Sequence, residues 1–323
     1  MIKCRLCFLL TAFAMAPIFL CCCQRAQAGK VRLSVAEWNV QTFFDARKDG
    51  TEYAEFTKSK YWGEDAYTAR LRRLSAALKK LDAEVVVLEE IESEKVLYDL
   101  ANFLAGDWNF SRHYVYGCFS KLPGSAIGCA VLSRYPLENL RAHALELRGE
   151  APMPKMRPLM CVDICKKGRR LTLLVNHWKS KSGGGGEQWR LWQEKVLAVH
   201  LETAARSGAA LACGDFNKDI GEFRRENEGT VLLHGLWTDK DISVRSPWYG
   251  SDGSLVEPGS YCFHGEWSRI DGFFSAGDIA ITSFAPQMQG EWCNAQTHEP
   301  YRYQIWNGSG FSDHLPLRCT VSF

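Results

Sequence analysis

The sequence predicts a layered α/β sandwich, with two facing β-sheets, mixed and mostly antiparallel, and helices outside. Three observations lead there. Strand-length apolar runs alternate with amphipathic helical stretches in the first part of the chain, paired short runs flank turn residues further on, and no long Gly-, Ser- or Pro-rich linker divides the 323 residues. With 46% hydrophobic and 24% charged residues, 27 Gly and 11 Pro, the composition is that of an ordinary globular enzyme and excludes collagen, coiled coil and wholesale disorder. One domain over residues 29–323 is the economical reading, and no internal repeat is visible.

The chain opens on a leader. Lys3 and Arg5 precede an apolar stretch over residues 6–23, interrupted by Pro17, and Ala26-Gln27-Ala28 offers a small-x-small cleavage site. That pattern is expected of a secretory signal peptide over residues 1–28, with acylation at Cys21, Cys22 or Cys23 as the lipoprotein alternative. No other stretch is long and apolar enough to span a membrane, so the expected location is secreted or periplasmic. Removing the leader takes Lys3, Arg5 and Arg25 from the 39 basic residues and none from the 37 acidic ones, leaving 36 against 37 and a net charge of −1. Such a balance excludes holding nucleic acid by bulk charge; contact with phosphate needs a local cluster. Five of the 13 cysteines leave with the leader, and the remaining eight suit disulfides in an oxidising compartment. None has zinc-site spacing.

Residues 31–40 are apolar and β-branched and read as a strand, and residues 66–81 carry Leu71, Leu74, Leu78 and Leu81 at helical spacing. Val85-Val86-Val87-Leu88, within residues 84–89, fits a strand buried on both faces, and residues 94–105 read as a second helix. Hairpins follow, 113–119 with 127–133 around Pro123-Gly124, and 158–165 with 171–176 around Lys167-Gly168. The first sets Cys118 opposite Cys129, within reach of a disulfide. Residues 187–206 are helical, 209–213 form a strand, and 214 to about 261 are mostly loop. Further strands are expected at 260–264, 269–274 and 316–323. The tryptophans, Trp62, Trp189, Trp248 and Trp267 among them, are expected mostly in the core.

Short motifs at strand ends bring acids, amides and histidines out of stiff strands into loops, the way metal and phosphate sites are built. They are Trp38-Asn39-Val40, Leu88-Glu89-Glu90-Ile91-Glu92, Asn176-His177-Trp178-Lys179-Ser180-Lys181, Gly214-Asp215-Phe216-Asn217, Arg269-Ile270-Asp271 and Ser312-Asp313-His314-Leu315-Pro316. Singly each has an ordinary structural explanation: a solvated strand end for Glu90, an Asx-turn for Asp215, a backbone-satisfied imidazole for His177.

As an ordered set, however, the motifs resemble the endonuclease/exonuclease/phosphatase superfamily, which includes deoxyribonuclease I, exonuclease III, inositol polyphosphate phosphatases and neutral sphingomyelinases. The resemblance runs from about Leu33 to the C-terminus, and residues 39–45 and 177–181 look most like its secreted bacterial nucleases. It implies a four-layered α/β sandwich and a metal-dependent hydrolase of phosphate esters, with Mg²⁺, or Mn²⁺ in its place, as cofactor and nucleic acid as substrate. A monomer without a stable protein partner is expected. Glu90 is then the main metal ligand, with Asn39 assisting and Asp313 close by. Asp215 and Asn217 resemble the pair that orients the attacking water, His314 the histidine on the scissile phosphate, and Asp271 the carboxylate that orients it. His177 matches a second histidine, a candidate general acid. Its supporting acid in deoxyribonuclease I-like members comes from the preceding hairpin turn, and here residues 122–128 offer Ser125 and no carboxylate. Arg157 resembles a phosphate-binding arginine, and Asn176, Lys179 and Lys181 are expected on the substrate.

The residue types suit phosphodiester hydrolysis, which needs a hard cation held by oxygen ligands, an oriented water and a protonated group near the leaving oxygen. The expected activity is a secreted endonuclease for DNA or RNA. A phosphomonoesterase or sphingomyelinase-like lipid phosphodiesterase is the alternative within the same superfamily. Against an inositol phosphatase, Lys218 and Ser268 stand where that branch carries an arginine after G-D-x-N and the cysteine of C-D-R. A non-catalytic binding protein on a dead scaffold is opposed by the intact motifs.

Overall fold

In a computed structural model, which describes residues 29–106, 108–145, 156–181, 186–236 and 240–323, the apolar run near the N-terminus forms β1 (Arg32–Phe43). The leader expected over residues 1–28 and the glycines at 183–185 lie outside the described residues. A short turn of helix, α1 (Ala54–Thr57), leads to α2 (Glu64–Leu81), β2 (Val85–Ile91) and α3 (Glu94–Gly106). The leucine stripe of α2 is buried as its spacing predicts, and Glu64 and Asp65 at its start with Lys79 and Lys80 at its end complement the helix dipole. Next come β3 (Tyr116–Ser120), β4 (Gly128–Ser133), β5 (Leu137–His143), β6 (Leu159–Lys166) and β7 (Arg169–His177). Then α4 (Gly186–Ser207) precedes β8 (Ala209–Asp215), β9 (Arg224–Asn227), β10 (Thr230–Leu233) and β11 (Ile242–Arg245). A ribbon of β12 (Tyr261–Phe263) and β13 (Glu266–Ser268) is followed by β14 (Asp271–Gly277), β15 (Ala280–Pro286) and β16 (Leu317–Ser322).

Two large sheets result, ordered β15-β16-β1-β2-β4-β3 and β5-β6-β7-β8-β14-β11-β10-β9. Only β1–β2 and β7–β8 pair in parallel, so both sheets are mixed and mostly antiparallel. On β1, Leu33 and Val35 face the second sheet, whose Leu173, Val175, Leu211 and Cys213 meet them, while Ala36, Trp38 and Val40 face α2 and α3. Helix α4 covers the far side of the second sheet with Leu197, Ala198 and Leu201. The layers run helix, sheet, sheet, helix, as the sequence predicts. Among the described residues no helix is long and apolar enough to cross a membrane.

Three expectations need correction. The region expected to be mostly loop contains β9, β10 and β11, strands of four residues each; β10 and β11 alternate but are too short to stand out, and β9 exposes every residue. Strands β5 and β15 were missed for the same reason, since each exposes charged or small polar residues along much of its length. Cys118 lies opposite Val131, and Cys129 opposite Ser120, so the first hairpin turns one residue later than Pro123-Gly124 implies and its register shifts by two. No disulfide joins the cysteines between Cys118 and Cys319, most of which are buried.

The second sheet is pinned where Gly214 of β8 sits between Asn176 of β7 and Gly272 of β14. Its φ is +128°, and a Cβ there would lie 2.0 Å from the carbonyl oxygen of Asn176. Only glycine fits. Gly214→Ala is expected to destabilise the protein by about 3 kcal/mol or more, since strain and a backbone clash coincide. A urea midpoint within experimental error of the parent would refute this.

Candidate active site

The ends of the strands surround a cleft of about 530 Å³. Asn39 reaches it from β1, Glu90 from β2, and Asp313 and His314 from the segment just before β16. On the second sheet, register sets His177 beside Asp215 and Asp215 beside Asp271. The segments expected from the motifs therefore converge on one place.

Glu90 owes its direction to a bulge. Glu89 pairs with Cys129 and Ile91 with Gly128, leaving Glu90 unopposed, with φ at +63°. Strict alternation after Glu89 would send Glu90 toward the helices; the extra residue turns it into the cleft instead. Its carboxylate accepts from Thr42 N–H at 2.5 Å and from Asn39 Nδ2 at 3.3 Å, with 18% of the side chain still exposed. Burial, then the nearby Asp313 carboxylate, raises its pKa, while Thr42 N–H, Arg157 and His314 pull it down.

Asn39 bridges the sheets. Its Nδ2 donates to Glu90 and, at 3.1 Å, to Asp215 Oδ2, and its Oδ1 accepts from Gln41 N–H at 3.0 Å. The amide end must face the two carboxylates, which fixes its orientation. Asn39, expected among the metal ligands, thus holds the carboxylates in place and has its own oxygen engaged elsewhere.

Asp215 also accepts from Asn217 N–H at 2.8 Å and Asn217 Nδ2 at 3.0 Å. Burial and the Asp271 charge lift its pKa to about 7 despite these donors and His314. His314 Nδ1 lies 2.8 and 3.0 Å from the oxygens of Asp271. Burial alone would lower the imidazole, but the charge and hydrogen bond of Asp271, with Asp215 and Asp313, raise it to about 10. It is a cation at neutral pH. Asp215, Asp271 and His314 come close enough to ligate a metal together, but the imidazolium already supplies the positive charge there.

His177 differs. Its Nε2 stands 3.7 Å from both Glu90 and Asp215, its Nδ1 meets no described partner, and burial followed by Arg157 and His314 drives its pKa well below 6.5. The expected general acid is therefore a neutral ring. Arg157 lines the cleft and donates to Trp178 O at 2.7 Å, and Lys181 lines it while paired with Glu222 at 2.5 Å. Two expected substrate contacts lie elsewhere. Asn176 is buried, its amide bonded to Leu174 O, Cys213 O and Trp178 Nε1, so it stitches β7 to β8. Lys179 stands outside the cleft, its backbone held by Gln193 and Arg190 of α4.

Sequence reasoning missed several supports. Arg70, buried on α2, donates to the carbonyls of Val40, Gln41 and Thr42, and its guanidinium lies 3.7 Å over the Tyr303 ring. It clamps a turn in which Gln41 and Thr42 both have positive φ and from which Thr42 N–H reaches Glu90. Ala69-Arg70-Leu71 in α2 is compatible with an exposed arginine and gave no signal. Trp248 Nε1 holds Asp271 O at 2.8 Å, and buried Glu194 holds Lys218 at 2.7 Å, just after Asn217. Below the cleft Glu37 and Glu89 are fully buried and hydrogen-bonded to one another, no other described side chain donates to their oxygens, and burial with neighbouring carboxylates raises both far above the usual range. They are held as neutral acids.

Two outcomes follow for Asp271 and His314. With divalent cations chelated, Asp271→Asn lowers the His314 titration from about 10, because the largest charge supporting the imidazolium is gone while burial remains; imidazole NMR shifts against pH measure it. Turnover losses for Asp271→Asn and His314→Ala fall well short of additive in the double variant, since the two act as a unit. An unchanged titration or simple additivity would break the pair.

No curated protein matches the chain in sequence. Truncated Caenorhabditis elegans TDP2 superposes with a TM-score of 0.57 at 14% identity, covering 90% of this chain and 97% of that one. Humanized D. rerio TDP2 with 14 mutations gives 0.58 at 16%, covering 90% and 98%. An endonuclease/exonuclease/phosphatase family protein from Bacteroides thetaiotaomicron gives 0.57 at 13%, covering 92% and 99%. At such identities the likeness concerns fold. The family's sequence profile matches residues 36–314, from the middle of β1 to the imidazolium itself, and the chain belongs to the Endonuclease/Exonuclease/phosphatase family.

Proposed function

We propose that this protein is a divalent-metal-dependent endonuclease, cleaving DNA or RNA by attack of water on the scissile phosphate. The observation that carries the reading is one cleft that unites an oxygen-donor pair, Glu90 and Asp313, with an imidazolium, His314, and a carboxylate–amide pair, Asp215 and Asn217. Membership of the family supports a phosphoester hydrolase working with a divalent metal.

The residues fit such a metal. Glu90 and Asp313 repel one another in a desolvated cleft, and hard oxygen donors of this kind suit Mg²⁺ or Mn²⁺. Bound there, the cation offsets charge on the phosphoryl oxygens. Asp215, titrating near neutrality, takes the proton of the attacking water, and Asn217 fixes the carboxylate that receives it. His314, held through Nδ1 by Asp271, presents Nε2–H to the phosphate and stabilises charge that builds up on it. His177 contributes a neutral ring beside Glu90 and Asp215. Arg157 adds a guanidinium suited to tetrahedral oxygens. The leader pattern over residues 1–28 supports an activity outside the cytoplasm, carried out by a monomer.

The test incubates residues 29–323 with supercoiled plasmid, RNA, sphingomyelin and inositol phosphates in Mg²⁺, with and without chelator. Plasmid nicking or RNA fragmentation that chelator abolishes is expected. Glu90→Gln is expected to reduce turnover by about 100-fold or more and to weaken Mn²⁺ binding in calorimetry. Release of phosphocholine or inorganic phosphate with intact nucleic acids would replace the reading by its lipid or monoester alternative.

A further inference from the structure

We propose that the cleft takes nucleic acid as an unpaired strand, with bases stacked on Tyr53 and Tyr261 of its lining and on Phe263, beyond the lining on the ribbon that carries Tyr261. This rests on the nuclease reading above and names the form of its substrate. Tyr53 lines the cleft, is 41% exposed and is steadied edge-on by Phe44 at 5.5 Å, which leaves ring surface open. Across from the β1 turn, the β12–β13 ribbon belongs to neither large sheet and is bonded to the catalytic segment, with Tyr261 bridging to His314 and Leu315 N–H donating to Ser260 O at 2.7 Å. The Tyr261 ring stands 4.8 Å from the His314 ring. Phe263, two residues further along the ribbon, shares its face and is 55% exposed.

Charge decides between paired and unpaired strands. A duplex already stacks its own bases and is gripped through many phosphates by many cations. The cleft offers Arg157, Arg302 and the Glu222-paired Lys181, and the chain beyond its leader has a net charge of −1. These cations suffice for the phosphates next to the cut and not for a long duplex face. Rings open to the cleft gain nothing from a duplex, whereas each stacks on a free base. Isolated exposed aromatics are common on soluble proteins, but here Tyr53 and Tyr261 line the cleft itself and Phe263 continues the ribbon that carries Tyr261.

The test compares kcat/KM of the Mg²⁺-loaded protein on a single-stranded oligonucleotide, its duplex and bis(p-nitrophenyl) phosphate. The single strand is expected to exceed the duplex by about ten-fold or more. Tyr53→Ala and Phe263→Ala should each lose about ten-fold more on the oligonucleotide than on the small diester, chiefly through KM, with Phe263→Trp restoring the loss. Phe110→Ala, at an exposed ring belonging neither to the cleft lining nor to the β12–β13 ribbon, should change neither substrate. A duplex cut as fast as the single strand, or equal losses on both substrates, overturns the stacking proposal while leaving the nuclease reading intact. Hydrolysis of the small diester with no cleavage of any nucleic acid overturns both.

Discussion

Where the two sheets meet, Glu90, Asp215, Asp271 and Asp313 crowd a largely buried space near the carboxyls of Glu37 and Glu89. Unscreened like charges at such separations repel strongly, so the arrangement persists only if the charge is offset or removed. Each device at the site is a way of doing so. Glu37 and Glu89 give up their charge, His314 keeps a proton to balance Asp271, and Asp215 settles near neutrality between opposing neighbours. Glu90 and Asp313 remain, and the divalent cation proposed above would complete the balance. The same excess that would make that metal useful for phosphate chemistry would make it useful for the fold.

Holding these groups in place takes more than the strands that carry them. Glu90, Gln41, Thr42 and Asn217 all sit at positive φ, a conformation that side chains other than glycine resist. The supports come from the helices on either flank. Arg70 of α2 caps three carbonyls of the β1 turn, while Arg190, Gln193 and Glu194 of α4 bury a polar stripe that grips the loops after β7 and β8. One end of α4 is therefore polar where it serves the site and the other apolar where it seals the sheet.

Much of the architecture was legible because long apolar runs such as Val85-Val86-Val87-Leu88 can hardly be anything other than buried strands. The short strands β9 to β11 were not: Arg224, Arg225 and Glu226 of the edge strand β9 are all exposed and carry no alternation, and β10 and β11 offer only four residues each. At the site, the chemistry-bearing residues were legible as an ordered set, but their roles were less so. Asn39 reads as a ligand until the demands of Gln41 and two carboxylates turn its amide. His177 reads as an acid until burial strips its charge. Arg70 and Glu37 left no trace in the sequence because their meaning lies in what tertiary packing brings to them.

The first strand of the domain is hydrogen-bonded to the last. β1 lies between β2 and β16, Val31 and Phe323 exchange two backbone bonds, and His314 stands just ahead of β16. Closing that pair means joining segments separated by nearly the whole chain, the slowest kind of contact to form. Without residues 314–323, β1 has one open edge and the cleft has no imidazolium. Pairing β16 with β1 and delivering His314 to Asp271 of the other sheet therefore go together, so closure of one sheet also assembles the centre of the cleft.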